Sequence, residues 1–124
     1  LGVNNDLFDN AKSMRRILGP AESAFDRYDE LMFKVEEVVN KDILILLALG
    51  PTATVMAYEL AKKGFWVVDI GHIDIEYEWF LMGATSKVAV PGKYTNECNA
   101  GKLFGTLPEK ALTKYNSEII AKIL

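Results

Sequence analysis

The sequence has 124 residues, 50% hydrophobic and 25% charged, which suits one soluble globular domain able to bury its own core. A formal net charge of −3 supplies no basic field for a polyanion and argues against a nucleic-acid partner. The longest apolar runs, Ile43 to Leu49 and Phe80 to Met82, fall far short of the roughly 18 to 20 residues that span a bilayer, so no transmembrane segment is expected. The single cysteine, Cys98, offers neither an intrachain disulfide nor zinc-type spacing, and fits a reducing, cytoplasmic setting. The start at Leu1, without an initiator methionine or signal pattern, reads as a processed chain or an excised piece.

In chain order, Asp6 or Asp9 is placed to cap a short helix through Asn10 to Met14, followed by a brief extended stretch, Arg16-Ile17-Leu18, that Gly19-Pro20 stops. From Ser23, Phe25, Tyr28, Met32, Val35 and Val39 recur at helical spacing and predict an amphipathic helix with Phe25, Tyr28 and Met32 in the core. Ile43 to Leu49 is an unbroken apolar run, as expected of a parallel strand covered on both faces. Gly50-Pro51-Thr52-Ala53 then turns the chain into a helix from Thr54 to Lys63 that Gly64 ends, and Phe65 to Ile70 reads as the next strand. Strand, glycine turn, helix and strand make one βαβ unit with parallel strands. A further helix is expected from Asp74, a short strand at Lys87 to Val90, and a terminal helix from Pro108 to Leu124. The fold class is therefore α/β, a Rossmann-like parallel sheet flanked by helices.

The candidate chemistry lies at two places. Gly50-Pro51-Thr52-Ala53-Thr54 carries the chain from a strand into a helix N-terminus, where unpaired backbone N–H groups and the helix dipole favour a phosphate or diphosphate. Pro51 lacks an N–H, so Thr52, Ala53 and Thr54 are the expected donors; the alternative is a turn that merely starts a helix cleanly. Asp69 ends the next strand about 20 residues on, where Rossmann domains place an acidic ribose ligand, although the glycine fingerprint is absent. That leaves a dinucleotide-binding oxidoreductase domain as a second reading and a noncatalytic assembly module as a third.

Asp69-Ile70-Gly71-His72-Ile73-Asp74-Ile75-Glu76-Tyr77-Glu78-Trp79 gathers four carboxylates, Asp69 included, with the only histidine, at the edge where α/β sheets bind ligands. Imidazole and carboxylates suit manganese or magnesium, and either group serves as a general base when its surroundings set its pKa. His72 is the first candidate for metal or phosphate contact, and Asp74 or Glu78 for activating an acceptor hydroxyl. Solvated first-turn acids and a strand-end histidine are the plainer alternative. Two loops are candidates to complete a pocket: Gly2 to Asp6, with Asn4 and Asn5, and Gly92 to Glu97, in which Lys93 offsets phosphate charge and Asn96 bonds a sugar hydroxyl.

Leu7-Phe8-Asp9-Asn10-Ala11-Lys12-Ser13, Ala24-Phe25-Asp26, Ala48-Leu49-Gly50-Pro51-Thr52-Ala53, the block from Asp69 to Trp79 and Gly92-Lys93-Tyr94-Thr95-Asn96-Glu97 together resemble the bacterial glycosyltransferases of the GT-D fold type. The resemblance implies a Rossmann-like domain that transfers a hexose from a UDP-sugar, with divalent Mn²⁺ or Mg²⁺, to a glycan or glycoprotein acceptor such as a serine-rich adhesin or a surface polysaccharide. It also implies an Asp-x-Glu metal motif in an N-terminal half ahead of the Gly-Val-Asn-Asn loop. Residues 1–124 are thus expected to be a single α/β domain forming the C-terminal half of a larger catalytic domain, whose uncovered apolar surface favours a homo-oligomer.

Overall fold

The computed structural model describes residues 1–95 and 105–124. They divide into two compact units, one of Leu1–Met14 with His72–Glu118 and one of Arg15–Gly71 with Ile119–Leu124.

The second of these holds all the strands: β1 (Arg16–Leu18), β2 (Ile45–Leu47), β3 (Val67–Asp69) and β4 (Ile119–Lys122), with helices α1 (Tyr28–Val38) and α2 (Pro51–Lys62). β2 pairs with β3 in parallel, Ile45 opposite Val67 and Leu47 opposite Asp69, and α2 is the crossover between them. The βαβ unit read from the apolar runs is therefore present, with strands shorter than the runs because Ile43 and Leu44 lie in the exposed approach. Within α2, Ala53, Met56 and Leu60 fall on one face and are fully buried against α1 and the strands. The helix closes as the Gly64 N–H bonds the Ala61 carbonyl (2.9 Å) and the Phe65 N–H reaches back to that of Leu60 (3.0 Å).

Two expectations in this unit change. The chain enters α1 through a 3-10 turn, Ala24–Arg27, whose tighter period takes Phe25 off the core stripe. Phe25 is 58% exposed and lies against Tyr28 with ring centroids 5.2 Å apart, while Leu31, 1% exposed, takes the interior position. The predicted helix from Pro108 to Leu124 stops early, giving α4 (Glu109–Ser117) in the other unit and then β4. Ile119 and Ile120 are β-branched, inward and outward positions alternate from Ile119 to Ile123, and β1 provides a parallel partner closed by Ile123 N–H to Leu18 C=O at 2.7 Å.

The other unit contains α3 (Ile73–Met82) and α4. The predicted helix at Asn10 to Met14 is absent; two successive turns, Asp9 N–H to Asp6 C=O and Ala11 N–H to Phe8 C=O, occupy the region just before and into it. Five residues are too few to hold an isolated helix, and Asp6, the offered cap, instead accepts the Tyr77 hydroxyl. Lys87 to Val90 is not a strand either. The Val88 carbonyl accepts the Trp79 indole N–H at 2.7 Å and the Val90 carbonyl accepts the Lys93 amide at 3.1 Å, so two of its carbonyls find partners without a neighbouring strand. Among the described residues no helix is long and apolar enough to cross a membrane.

Candidate functional site

In the unit built on β2 and β3, the parallel pairing sets the carboxyl ends of both strands side by side, Leu47 opposite Asp69. The chain leaves β2 and reaches Gly50, whose φ of 57° and ψ of −144° belong to a region that side chains exclude. Pro51 then occupies the first helical position, where its missing N–H forfeits no bond. Thr52 and Ala53 turn inward and are buried, and the Ala53 amide bonds the Gly50 carbonyl at 3.0 Å. Asp69, at the end of β3, accepts the Thr54 hydroxyl at 2.9 Å and the Gly71 amide at 3.0 Å. Gly50, Pro51, Thr52, Ala53 and Asp69 thus share one strand-end edge. Asp69 ties the turn at Gly71 to the first turn of α2, through a Thr54 hydroxyl that spacing alone did not single out.

The second grouping lies in the unit that holds α3. Asp74 and Glu78 are four residues apart on that helix and therefore share a face. The Asn5 amide donates to Asp74 Oδ1 (2.8 Å) and Glu78 Oε1 (2.7 Å), and the Lys93 ammonium donates to the same two oxygens at 2.8 and 2.9 Å. Each carboxylate is thus gripped through one oxygen by the same pair of donors. The Asn5 loop is fixed locally by the Leu7 amide on Asn5 Oδ1 and by left-handed backbone at Gly2 and Asn4. Gly2 cannot carry a side chain there, since a Cβ would stand 2.4 Å from the Phe8 ring.

Asp74 and Lys93 are each 6% exposed. Burial pushes the Asp74 carboxyl up, but the hydrogen bonds from Lys93 and Asn5 outweigh it and hold the group below its ordinary value. The Tyr77 hydroxyl is pushed up, first by its hydrogen bond to Asp6. His72 is exposed at the N-cap of α3 and its carbonyl accepts the Glu76 amide at 2.9 Å. Asn4 is exposed beside Asn5. Asn96 lies outside the described residues.

A divalent metal was the expected cofactor, with His72 as a ligand. Among the described residues no three His, Cys, Asp or Glu side chains are grouped to hold a metal ion. At Asp74 and Glu78 the Lys93 ammonium already stands against both oxygens where a cation would bind, so this set does not fit a metal by itself. The convergence of Lys93 and Asn5 on two carboxylates was not legible as a spacing motif. Its one signal was the four-residue interval between Asp74 and Glu78.

A family model described as "Glycosyltransferase GT-D fold" matches residues 1–98. The chain belongs to this family. Glycosyltransferase GlyD of Streptococcus pneumoniae is 46% identical over 99% of this chain, and the probable glycosyl transferase Gly of Streptococcus gordonii is 42% identical over 98%. The chain spans only 15% and 17% of the length of those two relatives. Among solved structures, one described as a new glycosyltransferase from Streptococcus sanguinis superposes with a TM-score of 0.88 at 42% identity, covering 99% of this chain and 44% of that one. Another, described as having a distinct glycosyltransferase fold, gives 0.87 at 42% identity, covering 99% of this chain and 43% of that one. The GT-D fold is thus matched along nearly the whole of this chain.

Proposed function

We propose that the complete protein carrying this chain is a glycosyltransferase that moves a hexose from a UDP-sugar to a hydroxyl of a bacterial glycan or glycoprotein. The match to the GT-D family over residues 1–98 carries this reading. Supporting it physically, the strand-end edge at Gly50 combines an α-helix N-terminus with the Asp69 carboxylate. Such a terminus favours the negative charge that develops on the departing diphosphate, and an acidic strand end suits sugar hydroxyls. Thr52 supplies its first-turn amide with help from its hydroxyl, the Ala53 amide being already bonded to the Gly50 carbonyl, while Asp69 supplies the ribose contact and Asn4 and Asn96 the loop contacts in this reading. Glu78 or Asp74 takes the acceptor proton, and His72 meets a phosphate or the metal. The residues described here do not complete a set of metal ligands, so a Mn²⁺ or Mg²⁺ requirement would draw its other ligands from the rest of the complete protein. As one half of a larger catalytic domain, residues 1–124 would supply the strand-end edge and the α3 acids.

The test is titration of the complete protein with UDP and Mn²⁺, beside His72→Ala and Thr52→Ala. A loss of about tenfold in UDP affinity in at least one variant is expected, equivalent to removing an interaction of about 1.4 kcal/mol. Unchanged affinity in both would remove these two residues from the donor site.

A further inference from the structure

From the arrangement of Asn5, Lys93, Asp74 and Glu78 we infer that Asn5 and Lys93 are positioning residues, which hold Glu78 ready to receive the acceptor proton and do not touch the sugar nucleotide. The inference rests on the glycosyltransferase reading and assigns this cluster to the acceptor rather than the donor.

Three observations carry it. First, the Lys93 ammonium is committed within the protein. Its side chain is 6% exposed, and it donates to Asp74 Oδ1 and Glu78 Oε1 at 2.8 and 2.9 Å. Two of an ammonium's three donors are thereby spent. Second, the Lys93 charge is cancelled within the cluster, where two carboxylates face it and the Leu1 amino group 3.7 Å from Asp74 Oδ2, so no net positive charge is left to draw a diphosphate. A lysine placed to bind phosphate would carry its charge uncancelled. Third, the Asn5 amide reaches the same two oxygens at 2.8 and 2.7 Å, so the carboxylates are held from two separate loops. Burying such a group is unfavourable unless every member is paired, and the pairing fixes one geometry.

Asp74 and Glu78 differ in what they can then do. Asp74 is buried, with its side chain 8% exposed, whereas that of Glu78 is 17% exposed. The clamp engages Glu78 through Oε1, and Oε2 is the oxygen assigned to the proton. In the transfer step the acceptor O–H bond breaks as its proton passes to Glu78 Oε2 and its oxygen bonds the sugar carbon. The bond from that carbon to the diphosphate oxygen breaks, and UDP leaves with the electron pair.

The experiment measures kcat and the KM for the UDP-sugar in the complete protein for Lys93→Met, Lys93→Arg and Asn5→Ala, with Lys93→Met repeated in a Glu78→Gln background. We expect kcat to fall at least tenfold in Lys93→Met and Asn5→Ala, donor KM to stay within twofold, and Lys93→Arg to regain part of the loss. In the Glu78→Gln background Lys93→Met should lower kcat less than twofold further, because a residue acting through Glu78 has nothing left to position. A tenfold rise in donor KM with kcat retained would overturn the inference in favour of a phosphate contact. So would an undiminished effect of Lys93→Met in the Glu78→Gln background, or equal defects in the Met and Arg variants, which mark packing alone. Should Lys93→Met fail to fold, Asn5→Ala and its double variant with Glu78→Gln decide by the same criteria. Lack of both transfer and UDP binding in the unmodified protein would remove the glycosyltransferase reading itself, and this inference with it, a result distinct from a defect confined to the variants.

Discussion

Asp74 shows how one side chain is governed by opposing influences. Burial disfavours its charge, and the Lys93 and Asn5 donors favour it more, so its folded-state pKa lies below the ordinary 3.8. Because the folded value is the lower one, its contribution to stability is complete above the unfolded-state pKa and disappears as pH falls through the folded value. Asp74→Asn should therefore be less stable than the unmodified chain at pH 7, and the gap should narrow below pH 3.8. Urea midpoints of both proteins across that range measure it; a gap that is constant with pH would contradict the ionic account. At this scale the sequence indicated the participants better than their partners. Asn5, Asp74, Glu78 and Lys93 each stood out singly, but a spacing pattern holds no information on which loop lysine folds onto which helix face. Thr54 was read as a backbone donor with help from its hydroxyl, and that hydroxyl is bonded to Asp69.

Among the elements, the βαβ unit was legible because each boundary carries its own physical mark: an apolar run, a Gly-Pro helix start, a buried stripe at Ala53, Met56 and Leu60, and Gly64 at the close. Helix α3 was legible from Asp74 and Glu76 in its first turn. The segment after Ser117 was not. Ile119, Ile120 and Ile123 satisfy a helical stripe and a strand alternation almost equally well, and the decision rests with β1, a partner about a hundred residues earlier in the chain. Gly50 gives a test at this scale. Its φ of 57° with ψ of −144° is open only to glycine, yet an added Cβ would meet no atom within 4 Å. Gly50→Ala should therefore destabilise the β2 to α2 junction through backbone strain alone, by about 1–3 kcal/mol. Denaturant unfolding checks this, and a change below about 0.5 kcal/mol would mean that the junction relaxes into another conformation.

For the molecule as a whole, composition argued against a polyanion partner and a membrane-spanning helix, and the resemblance carried by the block from Asp69 to Trp79 indicated the family that the comparisons establish. Those comparisons also set the scale of the account, since the solved relatives extend to more than twice the length matched here, at 43% and 44% coverage. The proposed donor, acceptor and metal are therefore to be tested on the complete protein. The competing dinucleotide reading rested on Asp69 at a strand end, a feature that both kinds of nucleotide site share. A ligand that binds the native state raises the unfolding temperature by mass action, so the two readings separate in one thermal melt. Melting of the complete protein should shift upward with UDP, reaching about 2.7 kcal/mol of added stability at a hundredfold excess over Kd, and should not move with NAD. Protection by NAD with none by UDP would contradict the sugar-nucleotide account.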